Sequence, residues 1–398
     1  MRERRRGLAA ASAAPMGGSR RKPIGLTALI LIINNPKSIL LNGTSHRGDD
    51  PRFGVLISVA RLLEQRGHTV LLEGAGALSV PAERRSERRG ASQMRAFTWL
   101  SRAAVARHGR PHFAVKWFAY PKDSRPSTLA LELMQSIPVL SYENGMTKGS
   151  VIVDPKGLLG ASYYVSSLNE RVQRQFDDDD CSRHIRKHVA HDSSKRPQTT
   201  VMDIPSGSLG QYVFVPTQKF ADVSVQQYSN ISYPELLRGA TRFCKAHGLP
   251  LVIKIHPHLV GQERQEQVDL IAELRASHEQ VYESRSSINF LTAHARFTAT
   301  LNGGTLMDNF YTTSPVLTLA RSAFEHTDAV VRADSIGLGM RRMLQRELPW
   351  ADERKRRQRQ VVCWYRRMSL NVGKAAEENL AVLQAHLDAL ELTPRLVL

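Results

Sequence analysis

The chain has 398 residues, 42% of them hydrophobic, and a formal net charge of +18. That length is more than one hydrophobic core usually serves, so two domains are expected, each with a sizeable core. Cys181, Cys244 and Cys363 are odd in number and far apart, which argues against a disulfide scaffold or cysteine metal site and fits a reducing compartment.

The positive charge is uneven. Residues 1–22 hold seven Lys/Arg against Glu3 alone, and residues 341–367 hold ten against three acidic residues. No zinc-finger, RNA-recognition or helix-turn-helix signature accompanies them, so nucleic acid is not an expected partner. A solvated basic helix and a loose leader account for the excess; a sharper reading docks the Arg354–Arg367 helix on an anionic membrane or acidic polymer.

Met1–Lys22 is rich in Arg, Ala and Ser, the composition of a transit peptide or floppy tail, and residues 1–35 are expected to form a disordered or targeting leader. Within it, Ile24–Ile33 is apolar but far short of the roughly 20 residues that span a bilayer, which leaves a strand, a hydrophobic arm or a signal h-region. Ser38–Asn42 reads as a strand, Thr44–Asp50 as a polar loop, Phe53–Arg66 as a helix and Thr69–Leu72 as the next strand. The loop is no GxGxxG, so a dinucleotide fingerprint is absent.

Phe113–Trp117 and Pro138–Tyr142 read as strands around a helix over 127–137, and polar residues 175–199 as the connection to a second α/β set. The acidic run Asp177–Asp180 in that connection has no adjoining strand, so a solvated loop is expected and no metal. The second set reads as strand Tyr212–Val215, helix Tyr233–His247, strand Leu251–Ile255, helix Glu263–Ser277, strand Phe297–Leu301, a helix opened by Gly303-Gly304, strand Pro315–Leu319 and helices over 336–392.

The apolar run Leu251–Ile255 resembles a strand buried on both faces, and it ends abruptly in His256-Pro257-His258. Ligands of open α/β sheets bind at the carboxyl ends of strands. Pro257 fixes the local φ and cannot extend a ladder, so His256 is held at a defined exit point, where an imidazole with an ordinary pKa of about 6.5 can bond a departing phosphate. Asn302-Gly303-Gly304-Thr305 follows the next strand and opens a helix, whose unpaired amides and positive end suit a phosphate at the same edge. Glu143, before Asn144-Gly145 at a strand end in the first domain, has the chemistry to take a proton from an acceptor hydroxyl, or simply to cap a loop.

In order along the chain, Tyr142–Gly149, Val153-Asp154-Pro155-Lys156-Gly157, Pro216-Thr217-Gln218 with Asp222 and Gln226, Lys254–Pro257 and Asn302–Thr305 resemble the capsule polysaccharide biosynthesis family over roughly residues 110–325. Those proteins are β-Kdo transferases with a sialyltransferase-like two-domain fold, GT-B. The resemblance implies Glu143 as general base, His256-Pro257 on the CMP phosphate and Asn302–Thr305 as the second phosphate-binding turn. It places Lys254 and Gln218 with the nucleotide sugar, and Asn144, Gly145 and Asp222 with the acceptor or the cleft. Where relatives carry serine, this turn has Gly303-Gly304-Thr305, which leaves backbone contacts in place and puts a serine-type contact in doubt.

The expected fold is therefore α/β, with two Rossmann-like domains facing a cleft and a C-terminal helical extension. The divisions are a leader to 35, an acceptor domain with linker over 36–200, a nucleotide-sugar domain over 201–330 and a helical tail over 331–398. The expected function is inverting, metal-independent and cofactor-free transfer of a sugar such as Kdo from a CMP-sugar to a carbohydrate or glycolipid. A UDP- or GDP-sugar donor and a non-catalytic polysaccharide-binding domain are the alternatives. The expected location is cytoplasmic, with peripheral membrane contact or organellar targeting by the leader left open.

Overall fold

The computed structural model describes residues 28–33, 51–66, 69–74, 98–99, 101–108, 113–117, 128–157, 159–173, 179–194, 201, 203–345 and 352–389. The first half contains strands β1 (Ala28–Ile33), β2 (Thr69–Gly74), β3 (Thr98–Trp99), β4 (Phe113–Trp117), β5 (Val139–Asn144) and β6 (Ser150–Asp154). Its helices are α1 (Pro51–Gln65), α2 (Arg102–His108), α3 (Thr128–Met134), α4 (Leu168–Gln173) and α5 (Asp179–Ala190). The second half begins with β7 (Val213–Pro216), α6 (Val223–Tyr228), α7 (Tyr233–His247), β8 (Leu251–Lys254), α8 (Gly261–Ser277), β9 (Val281–Glu283) and α9 (Ile288–His294). It continues through β10 (Phe297–Thr300), α10 (Thr305–Thr312), β11 (Val316–Thr318), β12 (Val331–Arg332), α11 (Ile336–Leu344), α12 (Asp352–Arg367), β13 (Ser369–Asn371) and α13 (Ala376–Asp388).

The two sheets have the same plan. One runs β13-β6-β5-β4-β1-β2-β3 and the other β12-β11-β10-β7-β8-β9. Counted from its own first strand, each sheet contains the doubly wound order 3-2-1-4-5-6. The second sheet is parallel throughout, and β7 is buried at every position, as continuous apolar strands covered on both faces should be. In the first sheet β6 is antiparallel to β5. The expected α/β fold of two Rossmann-type domains is the fold adopted.

Local chemistry explains the element ends. The side chain of Ser232 accepts from the Glu235 amide and Glu235 answers to the Ser232 amide, so α7 starts where the sequence reading put it. The run 28–33 is a strand rather than an arm: β1 pairs with β2 and β4 in the middle of its sheet. The expected strand Ser38–Asn42 and loop Thr44–Asp50 lie outside the described residues.

The acidic run is also not simply a loop. Asp179 and Asp180 open α5, where carboxylates complement the positive end of a helix, and Asp180 is 2.6 Å from Arg366 of α12. The helical extension turns back across the molecule. Gln358 of α12 donates to the carbonyls of Ser314 and Ala329 in the second domain, β13 then joins the first sheet beside β6, and α13 packs on α1. Val361–Tyr365 are buried in a cluster that draws Tyr164, Leu168 and Ile185 from the first half and Leu306, Met307, Phe310 and Phe324 from the second.

That route changes two sequence expectations. Cys181 of α5 and Cys363 of α12, 182 residues apart in the chain, form a disulfide with Cα atoms 5.7 Å apart, which linear spacing could not reveal. The basic residues of α12 are largely engaged within the protein. Arg354 donates to the carbonyls of Asp328 and Val330, Arg356 and Arg357 meet Glu353, and Arg366 meets Asp180. Arg359 and Arg367 remain exposed, and bonds to carbonyls leave the charge of Arg354 in place. Among the described residues no helix is long and apolar enough to cross a membrane.

Two histidines are built into the joint in neutral form. His386 Nε2 bonds the Met368 carbonyl, so Nδ1 accepts from the Tyr164 hydroxyl at 2.6 Å. His188 of α5 stacks on Tyr311 of α10 with ring centroids 3.6 Å apart. Burial pushes both imidazoles down to about 4 from 6.5.

Three measurements follow from the joint. Denatured without reductant, the protein should titrate one thiol per chain, Cys244, and three after reduction; three before reduction would remove the bridge. Replacing Cys181 and Cys363 with Ala should lower unfolding free energy by on the order of 4 kcal/mol in urea titration. Because His188 and His386 titrate lower in the folded state than in the unfolded chain, the unfolded chain binds more protons between pH 6.5 and about 4. Stability should therefore fall as pH drops through that window, and His386→Gln should flatten the fall; an unchanged slope would mean His386 does not titrate on unfolding.

Candidate active site

In the second sheet the chain leaves β7 for β8 and β9 on one side, then returns to β10 on the other. The switch point lies between β7 and β10, where connections diverge and open a crevice at the carboxyl edge. Gln218 follows β7 and Gly303 follows β10, and the two meet there. Gly303 has φ +101°, and a Cβ on it would lie 2.1 Å from Gln218 Nε2, so only glycine allows this approach. The Tyr233 hydroxyl, buried below, donates to Gln218 Oε1 at 3.4 Å and so turns the Nε2 donors toward the glycine turn.

His256 exits β8, the strand on the far side of β7 from β10. Its amide donates to Thr217 Oγ1 at 3.3 Å. The Pro257 turn brings the His258 amide onto His256 Nδ1 at 3.2 Å. A neutral imidazole that accepts at Nδ1 holds its proton on Nε2, so the outer nitrogen is a donor. His256 is half-buried, while Pro257 and His258 are exposed. Thus residues after three adjacent strands, β10, β7 and β8, converge on one edge.

The other expected residues stand around this group in different ways. Asn302 is 1% exposed and its Nδ2 donates to the Ser224 carbonyl of α6, so its side chain holds the turn from beneath. Gly304 and Thr305 open α10, where the first amides have no partner within the helix. Asp222 caps α6 by accepting from the Ser224 amide at 2.8 Å. Lys254 Nζ donates to the carbonyls of Arg285 and Ser286, leaving one of its three N–H donors. Burial lowers the pKa of this ammonium, opposed by the charges of Asp203 and Asp192.

Glu143 belongs to the first sheet. β5 runs through Glu143 and Asn144 rather than ending at Tyr142, because they pair with Ile152 and Val151 of β6. The hairpin closes at once: the Gly145 amide donates to the Ser150 carbonyl at 2.8 Å, and a Cβ at 145 would fall 1.9 Å from Ser150 Oγ. Directly opposed residues of antiparallel strands share a face. Ile152 packs against the α12 cluster, and the Glu143 charge is felt by Tyr365, whose phenol is raised first by burial. The same cluster holds Leu306 and Met307 from the first turn of α10, so it joins the Glu143 hairpin to the glycine turn. A cavity of about 20 Å³, lined by Ile152, Asp154, Tyr164, Trp364 and Tyr365, belongs to this joint and not to the edge.

Sequence reasoning named Thr217 only within the Pro216-Thr217-Gln218 motif and missed Gln267, which bonds it. Gln267 is 1% exposed and sits on the buried stripe of α8 with Leu270, Ile271 and Leu274. A polar residue at an apolar stripe position was the available signal.

No protein-family model matches the chain, and no curated protein sequence does. Among solved structures, it is similar to Thermosulfurimonas dismutans KpsC, beta Kdo 2,7 transferase, at 16% identity, over 68% of this chain and 83% of that one, with a TM-score of 0.42. It is similar to Methanocaldococcus jannaschii UDP-GlcNAc 2-epimerase in complex with UDP-GlcNAc and UDP at 10% identity, over 85% and 99% of the two chains, with a TM-score of 0.34. It is similar to CalG4, the calicheamicin glycosyltransferase, at 14% identity, over 94% and 100%, with a TM-score of 0.33. Likenesses at this level assign no activity.

Gly303→Ala tests the turn. The added Cβ must displace the Gln218 carboxamide and sit at φ +101°, so unfolding free energy should fall by about 1–3 kcal/mol in denaturant titration. Wild-type stability in this variant would show that the turn does not hold that conformation.

Proposed function

We propose that the protein is an inverting, metal-independent glycosyltransferase that moves a sugar, Kdo or a related acidic sugar, from a CMP-activated donor to a carbohydrate or glycolipid acceptor. The observation that carries this reading is the meeting of Gln218 and Gly303 at the switch point of a fully parallel sheet, with His256 at the exit of the next strand. An edge of that construction offers backbone amides, a carboxamide donor and an imidazole N–H to one anion. The ordered resemblance to capsule polysaccharide biosynthesis proteins supports a nucleotide sugar as the carrier of that anion.

In the proposed reaction Glu143 takes the proton of the acceptor hydroxyl as its oxygen attacks the anomeric carbon. The bond from that carbon to the phosphate oxygen breaks through an oxocarbenium-like state, and CMP departs with the bonding pair. Charge grows on the leaving phosphate, where the Nε2–H of His256 and the Gly303–Thr305 amides stabilise it. Lys254 serves this edge by keeping the β9–α9 turn in place, and Asn302 and Asp222 by bracing the glycine turn and α6.

Two assays test the reading. In a thermal-shift panel of CMP, UDP and GDP at equal concentration, CMP should stabilise most; preference for UDP or GDP would overturn the donor, and no response to any nucleotide would favour a polysaccharide-binding domain. In CMP release from CMP-Kdo with a carbohydrate acceptor, Glu143→Ala and His256→Ala should each lower turnover by about two orders of magnitude or more. Full turnover in either variant would remove its assigned role.

A further inference from the structure

A glutamine lies under the proposed phosphate edge with both ends of its amide engaged. Gln267 Oε1 accepts from Thr217 Oγ1 at 2.6 Å, and Gln267 Nε2 donates to the Gln218 carbonyl at 2.7 Å. The threonine has one hydroxyl proton, and the 2.6 Å contact takes it in preference to the Lys254 carbonyl at 3.3 Å. Thr217 Oγ1 is then oriented as an acceptor, and the amide that reaches it at 3.3 Å is that of His256. The chain of donors is directional: His256 N–H to Thr217, Thr217 O–H to Gln267, Gln267 N–H to the Gln218 carbonyl.

We propose that Gln267 is a positioning residue that sets His256 and Gln218 together, one through Thr217 and the other through its backbone. This rests on the reading of the edge as the nucleotide-sugar site. Three facts support it beyond the contacts. The residue stands in a stripe otherwise made of Leu270, Ile271 and Leu274, so apolar packing alone calls for leucine or methionine there. A buried amide is costly unless every polar atom is paired, and here the pairing runs to two adjacent residues of the strand exit. Those residues lead to the side chains of Gln218 and His256 at the carboxyl ends of the adjacent parallel strands β7 and β8. The link also fixes the proton on His256. Holding the backbone at 256 keeps Nδ1 under the His258 amide, which leaves Nε2 as the donor. A loosened exit would let the ring take either tautomer, and the Nδ1–H form would present a lone pair to the leaving phosphate.

The test uses the full chain, with the imidazole nitrogens of His256 followed by isotope-edited NMR and assigned by comparison with His256→Gln. Without nucleotide, wild type and Thr217→Ser should show the Nε2–H tautomer, whereas Gln267→Met and Thr217→Val should show both tautomers. CMP titration should then give about tenfold weaker binding in Gln267→Met and Thr217→Val than in wild type and Thr217→Ser. Gln267→Met keeps length and volume, and Thr217→Val reports the same link if that variant does not fold. An unchanged tautomer in Thr217→Val, or the same loss in Thr217→Ser, would overturn the proposal. If wild type binds no CMP, the CMP-donor reading fails, while the tautomer comparison still decides whether Gln267 sets His256.

Discussion

The burial of Val361–Tyr365 between the two sheets is the constraint on which the rest of the molecule depends. Each sheet closes its own core, but neither core relates Glu143 to His256. That relation comes from one helix whose side chains touch both halves and whose continuation, β13, is a strand of the first sheet. Burying a large side chain such as Trp364 or Tyr365 contributes roughly 1.5–3 kcal/mol, so five consecutive buried residues make the joint a second folding core and not a tether. The Cys181–Cys363 bridge and the Arg366–Asp180 pair lie along the same seam.

At the second edge, side chains and backbone divide the work. The backbone supplies the glycine turn and the helix opening; Asn302, Asp222, Tyr233 and Gln267 hold those pieces in place. Several residues that look like ligand contacts by type also make structural contacts. Asn302 faces α6, Asp222 caps it, and Lys254 braces a neighbouring turn. His256 and Gln218 differ from them: His256 presents Nε2–H and Gln218 directs its Nε2 donors at the glycine turn.

How much of this the sequence revealed follows from range. Strands and helices governed by neighbours a few residues away were legible: Phe113–Trp117 and Tyr233–His247 have the bounds that pattern and capping imply. The carboxyl-edge position of His256 was legible because an apolar run ending in proline is a local fact. Short pieces were not, since β9, α9 and β13 gain their stability from partners far away in the chain. Nor was the disulfide, which requires knowing that α5 and α12 lie side by side. The contacts of the basic segment 354–367 were hidden for the same reason, because its acceptors, the carbonyls of Asp328 and Val330 and the carboxylate of Asp180, are invisible in a count of charges.

An aspartate organises the loop near each proposed catalytic group, Asp154 buried and Asp203 exposed. Asp154, at the end of β6 beside the Glu143 hairpin, accepts from the amides of Lys156, Gly157 and Tyr163 and from the Ser162 hydroxyl. Burial raises its carboxyl pKa while these donors pull it back. Asp203, before β7, accepts from the Arg285 amide and the hydroxyls of Ser284 and Ser286, on the turn that Lys254 also grips. Burial acts on Asp203 too, but there the serine hydroxyls and backbone amides win, and its carboxyl lies below the ordinary range. In both places one carboxylate gathers loop amides that would otherwise need water, which fixes a connection whose sequence has no regular structure of its own. An edge assembled from loops can hold reacting groups in register only if those loops are stiff, and these two nests make them so.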